Sequence, residues 1–128
     1  MRFLVCDSSI VVDKLRGGKS WTKFVGALDE EDAKFYLSTI SIFELYSGES
    51  TRNPAAAKVL REALKLFEKV EVTTKIAQRA GEIYRDAKVD LEMPDYVIAA
   101  TALELGAEVV TLNRKHFGKV PGVRVFAL

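Results

Sequence analysis

Short apolar runs alternate with helix-patterned stretches along the whole chain, and this alternation restricts the fold more than any other feature. Phe3-Leu4-Val5-Cys6 reads as a buried strand that ends at a polar turn, Asp7-Ser8-Ser9. Ile10, Val11, Val12 and Leu15 give a short helix stopped by Gly17-Gly18, and a second helix covers about Trp21 to Leu28. Phe35 to Thr39 reads as the second strand, and Ser41 is an N-cap for a helix opening over Ile42 to Tyr46. Pro54 begins a helix in which Val59, Leu60, Ala63, Leu64 and Phe67 share one face. Val70 to Val72 is a short strand, and Thr73 or Thr74 caps a helix running to about Val89. Pro94 starts the next helix, Tyr96 to Leu105, which Gly106 closes. Glu108 to Leu112 and Val123 to Phe126 are the last two strands. Strands separated by helices require crossover connections, so the expectation is an α/β fold with a mostly parallel central sheet flanked by helices on both faces. The 128 residues fit a single domain, 1–128. In such sheets ligand sites form beyond the carboxyl ends of the strands.

Composition removes several function classes. One Cys excludes an internal disulfide or a cysteine zinc cage, and one His weakens any histidine cluster. A catalyst here has to work with carboxylates, hydroxyls or a hard cation. The net charge of +1 does not mark a nucleic-acid binder, but it leaves room for a local basic patch. The apolar stretch before Asp7 is too short for a secretory leader, and no apolar run approaches the ~18 residues of a membrane span. A cytoplasmic protein with no membrane partner is expected. Gly17-Gly18-Lys19-Ser20 looks like the end of a phosphate-binding loop, but Asp13 stands where the pattern needs its first Gly. The segment also follows a helix instead of joining a strand to one, so a helix stop and solvated turn is the better reading.

Four residues stand out by position. Asp7 and Asn113 follow the apolar ends of strands, Glu44 sits inside Ile42-Phe43-Glu44-Leu45-Tyr46, and Asp95 opens an otherwise apolar helix. Each has a structural alternative: Asp7 as a helix cap, Asp95 as a complement to the helix dipole, Asn113 as a turn residue. Glu44 is hardest to dismiss, because a carboxylate among apolar neighbours costs free energy unless it is paired or metal-bound. A parallel sheet brings Asp7 and Asn113 to one edge, with Glu44 and Asp95 on helices facing it. Three carboxylates and an amide oxygen make a hard oxygen cage suited to Mg²⁺ or Mn²⁺ and not to Zn²⁺.

With these landmarks in order, the chain resembles the PIN-domain ribonucleases, and within them the toxins of VapC-type toxin–antitoxin pairs. The resemblance rests on Leu4-Val5-Cys6-Asp7-Ser8-Ser9, Ser41-Ile42-Phe43-Glu44-Leu45, Pro94-Asp95-Tyr96-Val97-Ile98-Ala99-Ala100-Thr101-Ala102 and Val110-Thr111-Leu112-Asn113-Arg114-Lys115-His116-Phe117. It implies an acidic site at Asp7, Glu44 and Asp95. Its fourth position, often Asp in the family, is Asn113 here, which keeps an oxygen and removes a charge. Ser8 and Thr111 match hydroxyl positions of the pattern and are candidates for substrate contact, together with Arg114 and Lys115.

The resemblance further implies a Mg²⁺-dependent endoribonuclease, with Mn²⁺ able to substitute, cleaving single-stranded RNA by metal-activated water and leaving a 5′-phosphate and a 3′-hydroxyl. Further cations at Lys14, Arg16, Lys19, Lys23 and His116 are weaker candidates for holding RNA, and Lys19 and Lys23 read as solvated charges. His116 with Phe117 reads as a loop anchor. Trp21 and Tyr46 are candidates for base stacking, core or partner contact. The expected partners are a cognate antitoxin, a second copy in a homodimer, and RNA. Ile10, Val11, Leu15, Trp21, Phe24, Phe43 and Tyr46 are divided between the antitoxin groove and the core. The rival readings are a catalytically weak RNA-binding module on the same fold, an antitoxin-free RNA-processing nuclease, and a phosphoacceptor domain, the last lacking its early acidic pair and late Lys.

Overall fold

A computed structural model of the chain describes residues 1–28 and 32–127. Five strands form one parallel sheet in the order β3-β2-β1-β4-β5. They are β1 (Arg2–Cys6), β2 (Ala33–Ser38), β3 (Glu68–Val70), β4 (Glu108–Val110) and β5 (Arg124–Val125). Seven helices are described: α1 (Ser8–Leu15), α2 (Ser20–Ala27), α3 (Thr39–Ser47), α4 (Pro54–Leu64), α5 (Thr74–Ala87), α6 (Met93–Leu105) and α7 (Arg114–Phe117). A 3-10 turn, Glu49–Arg52, joins α3 to α4. The expected α/β architecture is therefore present. Among the described residues, no helix is long and apolar enough to cross a membrane.

Alternation along the strands divides the core between the two faces of the sheet. Leu4 and Cys6 of β1, Leu37 of β2 and Val110 of β4 pack with Ile10, Val11, Phe24, Leu60 and Leu64 on one face. Val5 of β1 and Val109 of β4 pack with Ile98, Ala99 and Ala102 of α6 on the other. β1 is central and buried on both sides, which is why it reads as a continuous apolar run.

Several boundaries differ from the sequence reading, each for a local reason. Helix α3 starts at Thr39, just under one turn earlier than expected. Ser38, not Ser41, is its N-cap, accepting from the Ile40 amide at 3.2 Å. Ser41 lies inside the helix, buried, with no hydrogen-bond partner for its hydroxyl among the described residues. Helix α4 stops at Leu64, and Phe67 reaches the core from the turn that follows. The strand expected at Val70–Val72 is Glu68–Val70, pulled back by pairing to Tyr36–Ser38 of β2. Gly17 takes a left-handed φ of 78° after α1, and Asp13 accepts from the Ser20 amide at 3.0 Å and from its hydroxyl. The Gly17–Ser20 segment is thus a helix-to-helix turn.

Gly106 ends α6 with φ 63° and ψ 34°, while the Ala107 amide reaches back to the Ala102 carbonyl at 2.9 Å. A Cβ added at Gly106 meets nothing within 4 Å. Gly106→Ala is therefore expected to cost only the left-handed backbone penalty, about 1 kcal/mol, measured by urea denaturation. A loss several times larger would mean that the position is sterically closed.

Candidate active site

Three backbone transitions build the site at the carboxyl edge of the sheet. Asp7 follows β1, and its amide donates to the Val110 carbonyl at 3.0 Å, extending the β1–β4 ladder by one bond. Its side chain caps α1 by accepting from the Ser9 amide at 2.9 Å and from the Ser9 hydroxyl. The second carboxylate oxygen accepts from the Thr111 hydroxyl at 2.5 Å. Thr111 also accepts from the Asn113 amide at 2.9 Å, and the Ser9 hydroxyl accepts from the Leu112 amide at 3.1 Å. The loop after β4 is thereby tied to Asp7. Asp7 is both a helix cap and a cavity residue.

Glu44 comes from the middle of α3 and Asp95 from the first turn of α6. The Ser8 hydroxyl donates to Glu44 Oε1 at 3.2 Å. Asp7, Ser8, Glu44, Asp95 and Asn113 all line one open cavity of about 500 Å³. Thr111 does not line it: fully buried and committed to Asp7, it positions that carboxylate and is not exposed to a substrate. Arg114 and Lys115 are exposed on α7, directly beyond the cavity's Asn113. Lys14 lies over the Trp21 ring, 5.7 Å from its centroid. Trp21 itself packs edge-on against Phe24, Phe35 and Phe67 as part of the core margin.

The sequence reading missed two acidic lining residues, Asp90 and Glu92. Both lie in the acid-rich stretch ahead of Pro94, the only signal that pointed to them. His116 faces the cavity and Phe117 alone is buried, so the anchor expected of the pair is Phe117.

The carboxylates share uncompensated charge. Burial pushes Asp7 above its ordinary value, against the lowering effect of its Ser9 and Thr111 hydrogen bonds. Burial likewise raises Glu44, and the charges of Asp95, Asp7 and Glu92 add to it while Ser8 opposes. Asp95 is raised by burial and by Asp7 and Glu92, with His116 opposing. Among the described residues, no Lys or Arg pairs with any of the three. Nor do three Asp, Glu, His or Cys side chains converge tightly enough to close on a cation by themselves. The expected cage is thus an open acidic cavity. That fits Mg²⁺ or Mn²⁺, hard ions bound through one or two carboxylates with several waters retained.

The sequence pattern of the PIN domain family matches residues 4–123. The chain is 32% identical to Ribonuclease VapC10 of Mycobacterium tuberculosis over 120 residues, 89% of this chain and 85% of that protein. Its fold is similar to VapBC2 from Rickettsia felis bound to a DNA fragment from their promoter, with a TM-score of 0.85, 21% identity and 97% of each chain covered. It is also similar to a toxin-antitoxin complex from Klebsiella pneumoniae, with a TM-score of 0.76, 26% identity and coverage of 98% of this chain and 99% of that one. The chain belongs to the PIN-domain family, among its VapC-type members.

Proposed function

We propose that this protein is a divalent-metal-dependent endoribonuclease toxin that cuts single-stranded RNA and is silenced by a cognate antitoxin. The observation that carries this reading is the meeting of Asp7, Glu44, Asp95 and Asn113 on one cavity with their negative charge unbalanced. The relative named as a ribonuclease supports RNA as the substrate. An RNA substrate supports action in the cytoplasm.

Asp7, Glu44 and Asp95 would hold Mg²⁺ or Mn²⁺, with Asn113 adding an amide oxygen. When bound, such an ion would acidify a water and offset charge growing on the phosphate. Asp7 is held rigidly by Ser9 and Thr111, so its contribution is orientation as well as charge. Glu44 is the proton acceptor in this reading. Burial raises its basicity, Ser8 fixes one oxygen, and the other makes no hydrogen bond among the described residues. Arg114 and Lys115 attract the RNA backbone toward a cavity that would otherwise repel it.

The test is cleavage of an end-labelled structured RNA pool with Mg²⁺, with Mn²⁺ and with chelator, beside Asp95→Ala protein purified identically. Metal-dependent cutting that leaves a 5′-phosphate and a 3′-hydroxyl, and that disappears in the variant, is expected. Undiminished cutting in chelator contradicts the metal, and a 2′,3′-cyclic phosphate product contradicts water attack.

The antitoxin's place is supported by a second cavity of about 490 Å³ between α1, α3 and α4, lined by Val12, Leu15, Leu45, Val59 and Leu60. It shares Val12 and Glu44 with the acidic cavity, so a chain lying in it runs on to the site. Leu15 and Val59 are exposed and available, whereas Ile10, Val11 and Phe24 are core residues. Val59→Asp is expected to weaken antitoxin binding on the order of 10²-fold and leave cleavage unchanged. Unaltered neutralisation by the antitoxin would move the partner elsewhere. A homodimer through the exposed Tyr84 and Met93 of α5 and α6 completes the assembly, and sedimentation of a Tyr84→Glu variant reads it.

A further inference from the structure

The loop between α5 and α6 reaches the acidic cavity by a route that involves neither Asp7 nor the loop after β4. Helix α5 ends at Lys88 in the left-handed region, with φ 55° and ψ 37°, which turns the chain back toward α6. Val89 and Leu91 then pack against the core beneath, and Asp90, Leu91 and Glu92 line the cavity. The Tyr96 hydroxyl fixes this segment from below. It donates to the Val89 carbonyl at 2.6 Å and accepts from the Leu91 amide at 3.2 Å. Tyr96 is only 5% exposed, and its ring is held edge-on by Tyr84 at 5.4 Å. A Phe at this position would fill the same space and leave two backbone groups without that partner.

Glu92 occupies the N-cap position of α6, yet its side chain makes no capping hydrogen bond. Its carbonyl accepts from the Asp95 amide at 3.0 Å, so its backbone is fixed relative to Asp95. Glu92 lines the same cavity as Glu44 and Asp95, and its charge pushes both carboxyls further up. Asp90 lines the same cavity, but among the described residues no backbone hydrogen bond ties it to Asp95 as one ties Glu92. Asn113 also lines the cavity and brings an amide without a charge.

We infer that Glu92 is an additional carboxylate of the metal-binding group, and that the Tyr96 hydroxyl is its positioning residue, pinning the 89–91 backbone so that Glu92 stands beside Glu44 and Asp95. This rests on the proposed metal-dependent function. Glu92 supplies the charge that Asn113 lacks, from a loop and not from a strand end. In this arrangement four carboxylates would face the ion, one or two of them directly and the others through its retained waters, with Asp90 as a bystander.

Isothermal titration of the full chain with Mn²⁺ alone separates the possibilities. Glu92→Gln is expected to weaken Mn²⁺ binding about tenfold, while Asp90→Asn, which removes the same charge from the same cavity, changes it less than twofold. Tyr96→Phe is expected to weaken binding severalfold and to speed hydrogen exchange at the Leu91 amide. Glu92 is exposed, so Glu92→Gln should fold normally, and it decides the question alone if Tyr96→Phe does not fold. Wild-type protein that binds Mn²⁺ and cuts RNA, with Glu92→Gln binding equally well, overturns this inference and leaves the nuclease standing. Equal weakening by Glu92→Gln and Asp90→Asn reduces Glu92 to general field charge and also overturns it. Wild-type protein that binds no Mn²⁺ overturns both readings.

Discussion

Asp7→Asn lowers RNA cleavage ~10³-fold or more and, in chelator, raises the melting temperature. Both effects have one cause. Asp7 is 3% exposed, and only hydroxyls and amides meet its charge. Asparagine keeps the size and the carbonyl that accepts from Ser9. Its amide can donate to Thr111, so the fold loses little and sheds a buried charge. The sign of the pH dependence follows from the same burial. The folded-state proton affinity of Asp7 is raised above the ordinary Asp value of 3.8. Its protonation therefore stabilises the fold fully below that value, and the contribution is lost as pH rises through the folded value. Glu44 and Asp95 act in the same direction. Metal-free wild-type protein should lose stability across that window as pH rises, and the variant should lose less. Adding Mg²⁺ reverses the order, because an ion bound only to the folded state stabilises wild type by mass action. A variant that is less stable than wild type in chelator at neutral pH would show that the Asp7 charge is well compensated. Wild-type cleavage by the variant would remove Asp7 from the chemistry.

The parts of this site that were legible in the sequence are those fixed by strand ends. Asp7 and Asn113 follow β1 and β4 because apolar runs stop where a strand leaves the core, and parallel pairing of Cys6 with Val110 brings the two ends together. Asp95 was legible because Pro94 marks a helix start, and Glu44 because a lone carboxylate interrupts an apolar helix. Asp90 and Glu92 were not legible, since acids before a helix usually serve its dipole or solvent. What turns them toward the cavity is the Tyr96 hydroxyl beneath the loop, a contact between residues five and seven positions apart that no periodicity reports. Thr111 failed differently. A hydroxyl at a strand end is compatible with substrate contact, and only the tertiary pairing with Asp7 shows that it is already used. Boundary errors at Ser41 and Phe67 have a common origin. Ser38, Thr39 and Ser41 are all acceptable caps locally, and Phe67 continues the apolar face of α4 after the helix itself has ended. In both places packing against the sheet decided the outcome.

Phe24→Ala is expected to cost about 3–5 kcal/mol, a large share of the ~5–15 kcal/mol that holds a domain folded. Helix α2 has eight residues, one of them buried, and that one is Phe24. Its N-cap, Lys19, makes no side-chain cap, so the attachment at that end falls to the Asp13 contacts with Ser20. A helix this short is not stable alone, and docking of the Phe24 ring supplies most of what keeps it in place. The ring meets Trp21 at 5.4 Å, Phe35 at 5.6 Å and Phe126 at 5.2 Å, all edge-on. These neighbours come from α2, β2 and the segment after β5, whose backbone is tied to the sheet by the Phe126 amide at 2.9 Å from the Val109 carbonyl. Walls anchored in this way cannot collapse into the space left by a phenyl ring, which puts the cost in the upper part of the large-to-small range. Phe24→Leu, which refills part of the volume, should recover more than half of the loss. None of the three ring partners lines the acidic cavity, so cleavage per folded molecule should stay near wild type. Denaturant unfolding measures the first effect, and cleavage normalised to the folded fraction measures the second. A loss below 1 kcal/mol would mean that α2 is held by its surface contacts and that the aromatic cluster is dispensable.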